Sequence, residues 1–449
     1  EVKITSNTFS NWDSNQDKDG DTRIATGCEG GRAIRIDLAA EASISVEGNT
    51  FIPNGNTSPV DHDYVKITGY TGNVNNLIYS LVKNNTWPSG TDYSIVILVN
   101  TTPGANMVAS IISGSTTNYY PTIQAAIDAA KADDTIVVDT GTFDEPLTIN
   151  KSLTILGVNA KNDPGTDAFI DEGSIVSGGI RITGGDVTLK GLTIREKGIF
   201  ATGVSDLTVK NCRIEDIVDD HEDAFRQSPD VPIIGVDVGK QDGPLAGATN
   251  SIVIDTNVFS NIGNTDDEIT THGMAIRIVR SGGNITITNN IIRDVTHNGI
   301  NIFQDCLLNG GKLTIAGNEI AGWDCDTDQA SIGGRAIRIN FVGTPATAVA
   351  EIVYNRLIPP VYTTPEEPVD PQYVKIDNVP TDMKLDLRWN YWGYWLEGTP
   401  DFDRILLVVD IESKRIEDTF LYSPYYKDEA MTELGYVDNQ TNGNPSEPM

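Results

Sequence analysis

The middle of this sequence repeats one short pattern: an alternating apolar strand, a polar corner that contains Asn, and a second short apolar strand. Strands repeated at intervals of about 20 to 35 residues, with no intervening helices, are typical of a solenoid whose stacked coils bury a continuous core. We therefore expect like strands to pair in parallel and the recurring asparagines to line up at one corner. These asparagines are Asn211, Asn257, Asn289 and Asn318.

Composition agrees with many short strands. The chain of 449 residues is 39% apolar but only 7% aromatic, and it holds 42 glycines. β-Branched residues favour strands, whereas Gly and Asn favour turns. The composition therefore predicts an all-β protein that is too long for one small core.

The net charge of the chain limits which classes of molecule it is expected to bind. The 63 acidic residues outnumber the 32 Lys and Arg, giving a formal net charge of −31. Such a field repels phosphate backbones and anionic lipids, so we expect neither nucleic-acid binding nor membrane insertion. It attracts cations, and Ca²⁺ is the expected cofactor.

Residues 120 to 157, YPTIQAAIDAAKADDTIVVDTGTFDEPLTINKSLTILG, resemble the opening of proteins of the pectin-lyase-like, right-handed parallel β-helix superfamily. The resemblance implies a short helix that covers the N-terminal end of the solenoid. The residues support this independently, because Ile123, Ala126, Ile127 and Ala130 have helical spacing and form one apolar face. We predict a right-handed parallel β-helix with a capping helix at residues 122–131.

The motif GGRAIRI occurs twice, at residues 30–36 and 333–339, and neighbouring segments also match in order. This duplication predicts that a whole domain repeats. We assign residues to four regions on this basis. They are the three closing coils of a first solenoid at 1–112, a linker at 113–119, a complete second solenoid at 120–430, and a C-terminal linker or tail at 431–449.

The duplicated motif lies near the domain junction, which favours a structural role. The repeat resembles tandem β-helix arrays of bacterial or archaeal surface-layer and adhesin-type proteins. This resemblance implies a non-catalytic, extracellular structural protein that associates with itself in an array or filament. Two alternatives stay open: an adhesin module that binds cell-surface polysaccharide, and a Ca²⁺-dependent lyase acting on uronate polymers.

The catalytic candidates are arginines in the strands. A lyase needs a strand Arg or Lys beside carboxylates of neighbouring coils, and Arg277 and Arg338 are the candidates. Alternation gives a second interpretation, in which these arginines point outward and pair with acidic loops. The order of residues Asn264, Asp266, Asp267, His272 and Arg277 resembles polygalacturonases, but all five lie in one coil, so we interpret this likeness as coincidence.

Calcium is predicted at acidic turns. DSNQDKDGD, residues 13–21, resembles the first half of an EF-hand loop, although Thr26 stands where that loop needs Glu. Two further acidic loops lie at equivalent positions of successive coils. The predicted metal ligands are Asn15, Asp17, Asp19, Asp21, Asp266, Asp267, Asp324, Asp326 and Asp328.

Two other residue types leave alternatives open. Cys306 and Cys325 either pair as a disulfide or remain small buried thiols. The tryptophans either stack on sugars or lie buried under the closing loops. They are Trp12, Trp323, Trp389, Trp392 and Trp395.

Overall fold

In the computed structural model, the secondary structure of the described residues is mostly short strands, and nearly all of these pair in parallel. No described helix is both long and apolar enough to cross a membrane. The structure describes residues 2–10, 33–38, 44–52, 65–70, 74–87, 97–101, 108–113, 116–217, 233–239, 251–263, 273–323, 334–359, 373–393, 402–416, 420–423 and 425–435.

The chain divides into two compact units. One comprises residues 1–110 with 118–125, and the other comprises 111–117 with 126–449. The first unit contains three small parallel sheets, β1 with β4, β2 with β5, and β3 with β6 and β7. Their strands are β1 (Val2–Thr5), β2 (Thr8–Ser10), β3 (Ile34–Asp37), β4 (Ile44–Glu47), β5 (Thr50–Ile52), β6 (Val65–Tyr70) and β7 (Ile97–Thr101).

Three long sheets continue along the chain, and we name them sheets I, II and III. Sheet I has twelve strands. In chain order these are β8 (Ala109–Ser113), β9 (Thr116–Tyr120), β10 (Asp134–Val138), β13 (Leu153–Leu156), β16 (Val187–Lys190), β19 (Asp206–Lys210), β22 (Ser251–Asp255), β25 (Asn284–Thr288), β28 (Lys312–Ala316), β31 (Val349–Val353), β34 (Lys384–Asp386) and β36 (Phe420–Leu421).

Sheet II has eight strands and sheet III has nine. Sheet II consists of β11 (Gly141–Phe143), β14 (Ser174–Val176), β17 (Thr193–Arg195), β20 (Arg213–Ile217), β23 (Val258–Ile262), β26 (Ile291–Val295), β29 (Glu319–Trp323) and β32 (Arg356–Ile358). Sheet III consists of β12 (Leu147–Ile149), β15 (Ile180–Ile182), β18 (Ile199–Ala201), β21 (Ile234–Val238), β24 (Met274–Ile278), β27 (Asn298–Ile302), β30 (Ile337–Asn340), β33 (Val374–Val379) and β35 (Leu406–Asp410).

Each coil passes through sheets I, II and III in turn, and each strand pairs with its counterpart in the next coil. Alternation explains the core, because inward residues such as Ile276, Ile300 and Ile337 are fully buried and stack in register. Near the C-terminus, β37 (Tyr425–Tyr426) and β38 (Leu434–Gly435) form an antiparallel pair. The predicted parallel β-helix is thus confirmed.

Stacked asparagines form the corner between sheets I and II, and we call them the asparagine corner. At Asn318, the side chain donates to Ile287 O and to Asn355 Oδ1, both at 2.9 Å, and its own Oδ1 accepts from Asn290 N at 3.0 Å. The same bonds recur from coil to coil, and all the members are buried. The corner consists of Asn257, Asn290, Asn318, Asn355 and Asn390.

Two of the asparagines expected at this corner take other roles. Asn211 and Asn289 have φ of 53° and 55°, and each precedes the residue that occupies the corner position. The left-handed conformation suits Asn and Gly, which explains why sequence alone confuses the two adjacent positions. In the coil of Asn211 the corner position is Cys212, whose N–H donates to Asn257 Oδ1.

A helix at Ile123–Ala129 lies within the predicted capping segment. Its apolar residues Ile123, Ala126 and Ile127 are buried. The hydroxyl of Thr122 accepts from Ala125 N at 3.0 Å, which caps the first turn. Lys151 Nζ donates to carbonyls of the last turn, including Ala130 O at 2.9 Å.

The first unit contains a second helix, Val74–Lys83, that the repeat pattern did not predict. Leu77 and Leu81 are four residues apart and join the buried core of this unit, and Leu81 O accepts from Asn85 Nδ2 at 2.8 Å. The apolar face of this helix therefore forms part of the core of the first unit. A one-turn helix also occurs at Phe402–Ile405 in the second unit.

Candidate functional site

The outward face of sheet III carries one row of polar side chains in register. Parallel pairing aligns Arg181, Phe200, Asp237, Arg277, Asn301, Arg338 and Lys375 on successive strands. Adjacent strands are about 4.8 Å apart, so each coil adds one member at that interval. We call the six polar members, all except Phe200, the polar row.

The polar row is cationic although the chain is strongly acidic. Four members carry positive charge and Asp237 is the one carboxylate among them. Alternation fixes their direction, because the residues on either side of Arg277 and Arg338 point into the core and are buried. The fold thereby collects cations from distant parts of the chain on a single face.

Arg277 is held by a buried carboxylate. Its Nε donates to Asp237 Oδ1 at 2.9 Å and its Nη2 to Asp237 Oδ2 at 2.7 Å. The Asp237 side chain is 0% exposed and that of Arg277 is 16% exposed. Two parallel charge-assisted bonds fix the guanidinium plane and neutralise the carboxylate.

The side chains of Arg338 and Asn301 have fewer hydrogen-bond partners than that of Arg277. The Nε of Arg338 is buried and has no hydrogen-bond partner within the described part of the chain, and the same holds for Oδ1 of Asn301. Asn301 Nδ2 donates only to the thioether of Met274, at 3.4 Å. Unpaired buried polar atoms are uncommon in native structures and often mark functional positions.

Lys375 occupies the end of the polar row. Its Nζ lies 3.9 Å from Asp377 Oδ2, and both side chains are partly exposed. This is a long contact, so the ammonium remains available for a ligand. At the opposite end, Arg181 and Phe200 lie on neighbouring strands and are both partly exposed.

The predicted metal ligands all lie outside the described residues. This applies to the EF-hand-like segment and to both predicted acidic loops. Within the described ranges, no cluster of three or more His, Cys, Asp or Glu could hold a metal ion. The calcium sites therefore remain a sequence-based prediction. Of the five residues in polygalacturonase-like order, the structure describes Arg277 alone.

The described cysteines and tryptophans are mainly structural. Cys306 is a free buried thiol, in line with the interpretation of a small buried thiol, and Cys325 lies outside the described residues. Burial raises the pKa of Cys306 to about 12 and that of Cys212 to about 11, which makes both thiols poor nucleophiles. Trp323 and Trp392 are buried in the core, in line with the second interpretation.

Sequence reasoning identified Arg277 and Arg338 as candidates but missed their neighbours. Asp237 and Asn301 are polar residues inside the largely apolar strands IGVDV and NGINI, the second of which also begins with Asn298. Their signal was that Asp and Asn are depleted in strand interiors. The strand register was also needed, because only the pairing of the strands shows that Asp237 and Asn301 lie beside Arg277 and Arg338.

Comparison with known proteins agrees with this architecture. Residues 157–334 match the family model "Right handed beta helix region". The fold is a right-handed parallel β-helix, and the match supports the resemblance to the pectin-lyase-like superfamily. No curated protein matches this chain.

A search of solved structures returned a mutant of AlyGC, a PL6 family alginate lyase, at 12% sequence identity and a TM-score of 0.32. The alignment covers 84% of this chain and 57% of that chain. This chain thus spans little more than half of that protein. At this identity and score the match carries no information on substrate or mechanism.

The prediction that this protein is a non-catalytic structural array is contradicted by these comparisons. The solved structure returned is named as an alginate lyase, and the matching family model describes the fold alone. That interpretation rested on the duplicated GGRAIRI motif. In the second copy, Arg338 belongs to the polar row.

Proposed function

We propose that this protein is a polysaccharide lyase that acts on uronate polymers, with the polar row as its substrate-binding face. One observation carries the proposal: in a chain of net charge −31, four cations stand in register on the outward face of one sheet. Cations aligned along one face suit a polymer that carries carboxylates along its length. Uronate polymers offer one carboxylate on each sugar.

Arginine and lysine have separate roles in this proposal. Arg338 receives the uronate carboxylate, because a guanidinium binds carboxylate through two parallel hydrogen bonds. Holding the carboxylate neutralises the negative charge that develops as the neighbouring carbon loses its proton. Arg277 is oriented by Asp237 and stands two strands from Arg338 in the same row.

Lys375 is the candidate proton acceptor. It lies on the strand next to Arg338 and in register with it. Lysine changes protonation state far more readily than arginine, which makes it the better candidate for general base. The base takes the proton from the carbon beside the carboxylate, the electron pair forms a carbon–carbon double bond, and the bond to the linking oxygen breaks. The departing oxygen takes a proton from water.

Calcium and an extracellular location remain proposals alongside this one. The predicted calcium ligands lie outside the described residues, and no step above passes through a metal. Uronate polymers are extracellular substrates, so secretion is the location that this function requires.

The test is turnover on polymers of different charge. We expect alginate or polygalacturonate to yield unsaturated ends that absorb in the ultraviolet, and neutral dextran to yield none. Lys375→Gln should lower kcat by about a hundredfold or more. The matched control is Lys210→Gln, which removes a cation from sheet I that pairs with Asp255.

Two results would count against the lyase. Tight binding of uronate polymers with no unsaturated product would select the glycan-binding alternative. Equal loss of activity in the Lys375 and Lys210 variants would show that general charge, and not the polar row, matters.

A further inference from the structure

The arrangement of Asn301 and Arg338 points to a role for Asn301 beyond the proposed function on which it rests. The two residues face each other in register on paired strands, β27 and β30. Both side chains project outward, about 4.8 Å apart at the backbone. Asn301 also pairs in register with Arg277, so it stands between Arg277 and Arg338.

The unsatisfied atoms of the two side chains are complementary. Arg338 Nε is a donor without an acceptor, and Asn301 Oδ1 is an acceptor without a donor, within the residues that the structure describes. Both atoms are buried, so bulk water does not satisfy them. In this structure they are not hydrogen-bonded to each other.

The other neighbours do not offer Asn301 a better partner. Arg277 directs its Nε and Nη2 to Asp237. Met274 engages the amide nitrogen of Asn301 through sulfur, which is a weak acceptor, and leaves the amide oxygen unpaired. Arg338 Nε is therefore the complementary donor on the adjacent strand.

We propose that Asn301 is a positioning residue for Arg338. When a uronate carboxylate binds the two terminal nitrogens of Arg338, the Nε–H of Arg338 donates to Asn301 Oδ1. This bond fixes the guanidinium plane, as Asp237 already does for Arg277. Asn301 acts through Arg338 and does not itself contact the reacting atoms.

The experiment is a double-mutant cycle on alginate cleavage. Asn301→Ala should lower kcat/KM by about tenfold or more, because a small misplacement of a positioned group costs rate. In an Arg338→Gln background the same change should alter kcat/KM by less than about twofold, because the partner is gone. Equal effects in both backgrounds would overturn the proposal.

Two further variants separate positioning from folding. Asn301→Asp keeps an acceptor oxygen but adds a charge that repels uronate, so we expect KM to rise while kcat falls less than in Asn301→Leu. Asn340→Ala removes an outward amide from the same strand as Arg338 and should leave activity unchanged. Indistinguishable kcat values for the Asp and Leu variants, at unchanged melting temperature, would also overturn the role.

The outcome for the wild type distinguishes the two proposals. An active wild type with a fully active Asn301→Ala variant rejects the positioning role and keeps the lyase. A wild type that neither cleaves nor binds alginate or polygalacturonate rejects both.

Discussion

The asparagine corner and the polar row are built by the same stacking but are satisfied differently. At the corner, Asn355 donates to Ile315 O and Asn390 Oδ1 and accepts from Asn318 N, so its amide is fully used. In the polar row, the amide oxygen of Asn301 has no hydrogen-bond partner among the described residues. An asparagine stacked on asparagines completes its own hydrogen bonds, whereas one placed between arginines does not.

Under the proposed function, this difference assigns stability to the corner and binding to the polar row. Identical residues at a corner give each amide a donor and an acceptor in the next coil. Unlike residues along the polar row leave donors and acceptors that a ligand can complete. We therefore expect substitutions at the corner to affect folding and substitutions in the polar row to affect binding.

The largest expected effect on stability is at the corner. Asn355→Ala leaves buried groups of three coils unpaired, including Asn318 N and Ile315 O. Each unpaired group costs about 1 to 3 kcal/mol, so we expect a loss of about 4 kcal/mol. Chemical denaturation measures it. The exposed Asn150→Ala is the control, and equal losses in the two variants would remove the distinction.

A smaller loss is expected inside the polar row. Arg277→Ala strands the buried Asp237 carboxylate, which should lower the free energy of unfolding by about 3 kcal/mol. Adding Asp237→Asn should recover much of the loss, because no buried charge remains. Arg338→Ala should cost less than about 1 kcal/mol, since it breaks no described ion pair. Equal melting temperatures for the two arginine variants would contradict this division.

Calcium should stabilise the fold through the acidic turns predicted from sequence. A ligand present at a hundredfold excess over its Kd adds about 2.7 kcal/mol if it binds the folded state alone. We expect chelation to lower Tm and calcium to restore it, where sodium at equal ionic strength does not. The variant with Asp17→Asn and Asp19→Asn should respond less. Identical melting curves in chelator and in calcium would show that these acidic turns are solvated and do not bind calcium.

The smallest effect is pH dependence at Asp255. Burial acts to raise its pKa, but hydrogen bonds from Lys210, Thr288 and Asn289 outweigh burial and hold the pKa below its usual range. A lowered pKa stabilises the fold above the unfolded value of about 3.9, and this is lost as pH falls through the folded value. Melting curves from pH 5 to pH 2.5 should therefore converge for wild type and Asp255→Asn. Parallel curves over that range would exclude this contribution.

The fold was predictable because the repeat pattern and alternation determine it locally. The capping helix followed from the spacing of Ile123, Ala126 and Ile127, all of which are buried. The helix Val74–Lys83 was missed because none of the repeated segments covers it. At Asn289 the predicted corner position is one residue too early. Asn suits both the left-handed position and the stacked corner position that follows it, so the sequence did not distinguish the two.

The candidate site was only half predictable. Arg277 and Arg338 were visible as strand arginines, but their neighbours depend on register between strands far apart in sequence. Asp237 and Arg277 are 40 residues apart, and a variable loop length separates them. Such a pairing depends on the register in which successive coils stack, and that register cannot be inferred from a single sequence.

The most direct test is the initial rate of ultraviolet-absorbing product from alginate, compared between wild type, Arg338→Gln and Asn150→Ala at equal folded fraction. We predict that wild type and Asn150→Ala cleave equally and that Arg338→Gln is slower by about a hundredfold or more. A rate for Arg338→Gln equal to that of wild type would contradict the assignment of the polar row as the site of uronate cleavage.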